Sequence, residues 1–185
     1  NALISQSGGH LILANTGTNA NYGNIDLASG YQLRLNGASL NNGGTINLDS
    51  VNVTGSGTLN NTFGGVISGR GTISSNFSND GGMVVVTSGT TNITRAFANS
   101  GDVRLGGTTA SLVGGAITNT GTIEGFGNVG NNIANDGTVR ANGGTLALGG
   151  ASVSNNAGGL MTVSTGSTLL AVSGMTSNAG VINLV

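Results

Sequence analysis

A short asparagine phrase, Asn-x-Gly-x-[Ile/Val/Leu/Met], recurs nine times along this chain, about every twenty residues. It reads Asn21-Tyr22-Gly23-Asn24-Ile25, Asn42-Gly43-Gly44-Thr45-Ile46 and Asn79-Asp80-Gly81-Gly82-Met83. Further copies run from Asn99 to Val103, Asn119 to Ile123, Asn135 to Val139, Asn156 to Leu160 and Asn178 to Ile182. One copy, Asn61-Thr62-Phe63-Gly64-Gly65-Val66, carries an extra residue. Self-similarity at a period of this size marks a solenoid, in which each unit buries its apolar face only against its neighbours. A stack of equal rungs is a long surface before it is an active site.

Composition narrows the kind of solenoid. Charged residues are 6% of the chain and aromatics 3%, against roughly 25% charged in an ordinary domain. So few aromatics supply little material for a wide core. The hydrophobic fraction of 37% is too high for disorder of the charged, apolar-poor kind. Collagen is excluded, because Pro is 0 and the 36 glycines follow no three-residue period. A thin core of small and branched residues, stacked rung on rung at about 4.8 Å, fits these facts and gives a rod about 40 Å long for roughly nine rungs.

The alternation within each rung predicts its strands. Side chains in a strand point to opposite faces in turn. Inward pairs are therefore expected at Ile25/Leu27, Ile46/Leu48, Met83/Val85, Val103/Leu105, Ile123/Gly125, Val139/Ala141 and Ile182/Leu184. A second, Gly-led strand follows at Leu33-Arg34-Leu35, Gly57-Thr58-Leu59, Gly71-Thr72-Ile73, Leu146-Ala147-Leu148 and Leu169. A third apolar patch precedes each corner at Leu40, Phe77, Phe97, Ile117, Ile133, Val153 and Met175. Three short strands per rung of about twenty residues predict an all-β, single-stranded parallel β-helix. It runs through residues 1–185 as one continuous domain, and right-handedness is expected from the twist preference of parallel crossovers. A meander of antiparallel hairpins also spaces strands regularly, but it gives no reason to return the same Asn to the same corner.

The corner asparagines at Asn21, Asn42, Asn79, Asn99, Asn119, Asn135, Asn156 and Asn178 have a structural explanation. Asn tolerates left-handed backbone, bonds local peptide groups and can stack its amide on the next rung. The glycine two places later is expected to permit the sharp turn. An amide-built metal or sugar site would not recur on every rung. Five places after each corner, an outward position reads Asp26, Asn47, Val84, Arg104, Glu124, Arg140, Met161 and Asn183. Arg104, Glu124 and Arg140 should form a ladder of alternating charge, worth about 0.2–1 kcal/mol per pair. A catalytic cluster of Arg, Glu and Asp102 is the sharper alternative, and a solvated register-setting ladder the favoured one. Phe77 and Phe97 should stack in the core.

Chemistry is otherwise sparse. Gly125-Phe126-Gly127-Asn128-Val129-Gly130 matches a dinucleotide fingerprint, but another rung follows it where a helix is required. His10 is the only histidine, so a His-pair metal site is excluded and no metal or cofactor is expected. Asp80 and Asp136 follow corner asparagines, a turn position that explains them locally. The calcium-binding nonapeptide is absent. Five Arg against six acids leave a formal net charge of −1 and no basic stripe for nucleic acid. No apolar run approaches the ~20 residues of a membrane span. Without an initial Met or a visible signal peptide, a mature or excised segment is expected; a chain without Cys is safe in an oxidising exterior. Gly-Thr steps at Thr45, Thr58, Thr72, Thr122, Thr138 and Thr145 suit strand starts. They fall on different faces, which argues against a flat ice-binding array.

Phrases such as Ile117-Thr-Asn-Thr-Gly-Thr-Ile-Glu-Gly and Ile133-Ala-Asn-Asp-Gly-Thr-Val-Arg-Ala resemble the repeats of bacterial secreted β-helices. Those repeats occur in autotransporter passengers and haemagglutinin-like surface adhesins. The resemblance covers almost the whole chain and is specific to an architecture. It implies an extracellular or cell-surface location and a structural, adhesive role as a stalk or filament, as in a biofilm matrix, without catalysis. The alternatives are a polysaccharide-binding or polysaccharide-cleaving β-helix and, third, an ice-binding solenoid. The expected partners are copies of the chain stacked end to end or flanking solenoid rungs, with a host or matrix glycan or protein as a further candidate. Neither end carries an evident cap, as expected for part of a longer or end-to-end assembled rod.

Overall fold

The computed structural model describes residues 3–6 and 9–185 and is all-β, with 25 strands from Leu3–Gln6 to Val181–Leu184 and no helix among the described residues. Every ladder between these strands is parallel and joins one coil to the next. The chain winds through three faces per coil. The first face holds Asn24–Leu27, Thr45–Asn47, Val66–Ser68 and Met83–Val86. The second holds Gln32–Leu35, Val51–Thr54, Gly71–Ile73 and Thr90–Ile93. The third holds Ser39–Asn42, Thr58–Thr62, Asn76–Asp80, Phe97–Asn99 and their successors. The third face alone is a nine-stranded sheet, which counts nine turns of solenoid.

The first and second faces are fused into one 16-stranded sheet. Three long strands cause this, Asp102–Gly114, Thr122–Val129 and Thr138–Leu148, which run through the corner instead of stopping at it. Their registers shift at the bend, between Gly106 and Ser111 in one pair and between Gly125 and Gly127 in the next. The nucleotide-like run Gly125–Gly130 is this bend. Gly125 and Gly127 take positive φ of 109° and 138°, a region open to glycine and strained for other residues.

The core is a set of stacked columns one side chain wide. Ile46, Ile67, Val84, Val103, Ile123, Val139 and Met161 lie in register down the first face, all buried. Leu40, Leu59 and Phe77 do so on the third, followed by Phe97, Ile117, Ile133 and Val153. Phe77 and Phe97 meet edge to face, ring centroids 5.2 Å apart. Burial at about 25 cal/mol per Å² of apolar area, repeated in every coil, drives the assembly. The last coil contrasts with this: the inward Ile182 and Leu184 are 46% and 77% exposed, because no following coil covers them.

Three expectations are corrected. In the rung after Asn79, Val84 and Val86 point inward, while Met83 and Val85 are half-buried on the outside. The extra turn residue there shifts the strand by one, and a one-residue slip exchanges faces. Met161 also lies inward, in register with Val139, so neither Val84 nor Met161 belongs to the outward column. Their places are taken by Val85 and Thr162, which pair with Arg104 and Arg140. Finally, Gly57-Thr58-Leu59 leads into the third face, not the second, since Leu59 pairs with Leu40 and Phe77.

Candidate functional site

The most repeated polar feature is the asparagine column at the end of the third face. Asn21, Asn42, Asn61, Asn79, Asn99, Asn119, Asn135, Asn155 and Asn178 stand one above another. Each Nδ2 donates to the Oδ1 of the next coil at 2.6–2.9 Å, across sequence separations from 16 to 23 residues. The second amide proton goes to a backbone carbonyl of its own turn or the next, as from Asn99 to Gly101 and Thr122. The column members from Asn42 to Asn155 are fully buried. Burial without partners would cost about 1–3 kcal/mol per group, so the column is stable only as an unbroken chain. All links run in one direction, so the amide dipoles align and reinforce one another.

The corner glycines serve this column by allowing close approach. Gly44, Gly101, Gly121, Gly137 and Gly180 have no positive φ. A Cβ on Gly101 would overlap the carbonyl oxygen of Gly82, and one on Gly121 that of Gly101. The glycine is required because consecutive backbones touch at this corner, not because the turn is left-handed.

Asn156 is corrected to Asn155. Asn155 bonds Asn135 and Asn178 inside the column, whereas Asn156 lies outside and donates to Asp136 at 2.9 Å. The tandem Asn155-Asn156, with Gly158 and Gly159 behind it, offers two readings of the phrase. The one with standard spacing is not the one that packs. Asn61 takes its column place despite its longer turn, which carries Phe63 out into solvent at 91% exposure.

Four charged residues, Asp102, Arg104, Glu124 and Arg140, gather on the outside of the first face. Arg104, Glu124 and Arg140 occupy successive strands in direct register. Arg104 Nε reaches Glu124 Oε1 at 3.1 Å, and Arg140 Nη1 reaches Glu124 Oε2 at 3.6 Å. Asp102, one outward position earlier on its own strand, takes Arg104 Nη2 at 3.0 Å. The arginine side chains are 48% and 46% exposed and that of Glu124 is 22%, so water screens these pairs and each contributes about 1 kcal/mol or less. A shallow groove of about 290 Å³ runs beside the strip, lined by Arg104, Glu124, Phe126 and Asn142. Sequence reading passed over Phe126 as part of a chance motif; its ring lies against Gly143 and Gly144 of the next coil.

His10 is exposed, 6.1 Å from the Tyr31 ring. Asp80 accepts from Ser100 at the corner following the amide column. Thr45, Thr122 and Thr138 share one outward column, but Val66, Met83 and Asp102 interrupt it. Thr58 lies on the third face, and Thr72 and Thr145 on the second. Among the described residues no three His, Cys, Asp or Glu come together as a metal site. Comparison with protein-family models, curated proteins and solved structures finds no match.

Proposed function

We propose that this chain is a structural and adhesive β-solenoid segment of a bacterial extracellular surface protein or fibre, acting as an extended stalk without catalysis. The observation that supports it is the unbroken amide column and the backbone ladders beside it. Together they tie every coil to the next by the same bonds. Force along the axis is then shared among three parallel faces, and no coil is a weak link except at the ends. The likeness of its repeats to autotransporter passengers and haemagglutinin-like adhesins gives the cellular setting. The partner that fits the open last coil is a further rung in parallel register, from flanking solenoid or from another copy. Electron microscopy of the purified chain together with limited trypsin digestion tests the reading. Rods one solenoid wide, uncut at Arg104 and Arg140, are expected; flexible particles cleaved at these arginines would reject it.

A second reading, binding of a polysaccharide, is favoured by one observation, the groove in which Phe126 adjoins Arg104, Glu124 and Asn142. An aromatic face next to planar polar groups suits a sugar ring. Replacing Phe126 with Ala separates the two readings: a glycan site loses retention on immobilised polysaccharide, whereas a stalk keeps its shape and protease resistance.

A further inference from the structure

The chain holds three Asn-Gly steps, Asn36-Gly37, Asn42-Gly43 and Asn142-Gly143. Asn-Gly is the sequence in which a backbone nitrogen most easily reaches the preceding side-chain amide, because glycine puts no side chain in the way. The fold treats the three steps differently. Asn42 is fully buried in the amide column. Its Oδ1 accepts from Asn21 at 2.7 Å, and its Nδ2 donates to Asn61 Oδ1 at 2.9 Å and to the Gly44 carbonyl at 3.1 Å. The following N–H is bonded at all three steps, Gly37 to the Leu35 carbonyl at 3.0 Å, Gly43 to the Asn21 carbonyl at 2.8 Å and Gly143 to Ser167 Oγ at 3.0 Å, so burial and the fully engaged side-chain amide are what set Asn42 apart. Asn36 and Asn142 are exposed at corners between faces, each followed by a glycine of positive φ, 83° at Gly37 and 86° at Gly143.

We infer that Asn36 and Asn142 are sites of spontaneous deamidation, and that the same reaction is blocked at Asn42 by its place in the column. The nitrogen of the following glycine attacks Cγ of the asparagine. The new C–N bond forms as the Cγ–Nδ2 bond breaks, and the displaced nitrogen takes up the proton and leaves as ammonia. Water then opens the cyclic imide at one of its two carbonyls, giving aspartate or isoaspartate. The reaction consumes one water, needs no redox partner, and adds one negative charge per site to a chain of formal net charge −1. At Asn142 the new carboxylate enters the groove lined by Arg104 and Glu124, so ageing alters this charged strip while leaving the core ladder intact. For Asn42 to react, its coil must first open, and the rate is scaled down by the population of that opened state.

This inference stands apart from the stalk reading and is tested separately. The folded chain and a guanidinium-unfolded control are incubated side by side in mildly alkaline buffer, and deamidated peptides are quantified by mass spectrometry. In the unfolded control all three steps should convert at similar rates. In the folded chain Asn42 should be slower than Asn36 and Asn142 by roughly tenfold or more. Equal rates at the three sites in the folded chain, or protection of Asn36 and Asn142 as strong as that of Asn42, would overturn the inference. A second variant addresses Asn142 alone. The Gly143 N–H donates to Ser167 Oγ at 3.0 Å, so Ser167→Ala should accelerate conversion at Asn142 and leave Asn36 unchanged. An equal effect at both sites, or none at Asn142, would contradict the assigned role of that bond.

Discussion

Two ladders climb this rod, one inside and one outside, and they have similar geometry but different worth. The asparagine column joins consecutive coils at 2.6–2.9 Å with its central members fully buried. The Arg104–Glu124–Arg140 strip joins consecutive coils at 3.1 and 3.6 Å in partial contact with water. The outer ladder carries formal charge, yet it is the weaker. Water competes for its groups, and side-chain entropy opposes fixing them. Inside, the alternative to each amide bond is an unsatisfied buried group, so each link is costly to lose. The comparison teaches that position relative to water, more than charge, decides which repeat specifies the coil.

Substitutions should rank accordingly. Asn99→Asp is expected to cost most, about 3–5 kcal/mol, because it buries an unpaired carboxylate that faces the Asn119 Oδ1 and the Thr122 carbonyl. Thermal unfolding at neutral pH would show this, and a change under about 1 kcal/mol would break the contrast between the ladders. Gly101→Ala follows at about 3 kcal/mol, through overlap with the Gly82 carbonyl. If it were neutral, the corner would have room that the close-approach argument denies it. Adjacent residues sharpen the comparison further. Asn155→Ala should cost about 2–3 kcal/mol by orphaning the buried Asn135 amide that donates to it, and Asn156→Ala less than about 0.5. Denaturant midpoints of the two variants measure the difference, and equal midpoints would place the wrong residue in the column. Smallest is Glu124→Gln, about 0.5–1 kcal/mol in dilute buffer, shrinking in ~1 M salt as screening shortens the reach of both arginines. An effect that survived high salt would mean that the strip is more than a solvated ladder.

The period, the three strands per coil and the corner asparagine were all legible in the sequence, because a stacked core repeats its residues at the spacing of one coil. What was hidden came from insertions, of one residue after Asn79 and of two after Asn61 and Asn155. The turns after Asn61, Asn79 and Asn155 absorb extra residues by bulging outward, with Gly64 and Gly81 in positive φ at the first two. The local phrase stays the same while the strand parity changes, as at Met83 and Val84. A pattern match counts residues along the chain, whereas packing counts from the column upward. The charge strip was legible because its register follows from three insertion-free rungs. Asp102 was seen only as a member of a possible cluster, and its bond to Arg104 depends on side-chain reach along one strand. Gly81 does take the positive φ of a sharp turn, but at Gly44, Gly101, Gly121, Gly137 and Gly180 the glycine two places after the corner was found for the wrong reason. Its role depends on how closely the next coil approaches, which no single rung contains.

The most direct test of the account is the exchange of asparagine side-chain amide protons with deuterated water, followed by residue-assigned NMR. The seven column amides from Asn42 to Asn155 are expected to exchange slowly, at rates set by opening of whole coils, while those of exposed Asn36, Asn52 and Asn142 exchange at once. Column amides that exchange as fast as the exposed ones would contradict the claim that a buried amide chain holds the coils together.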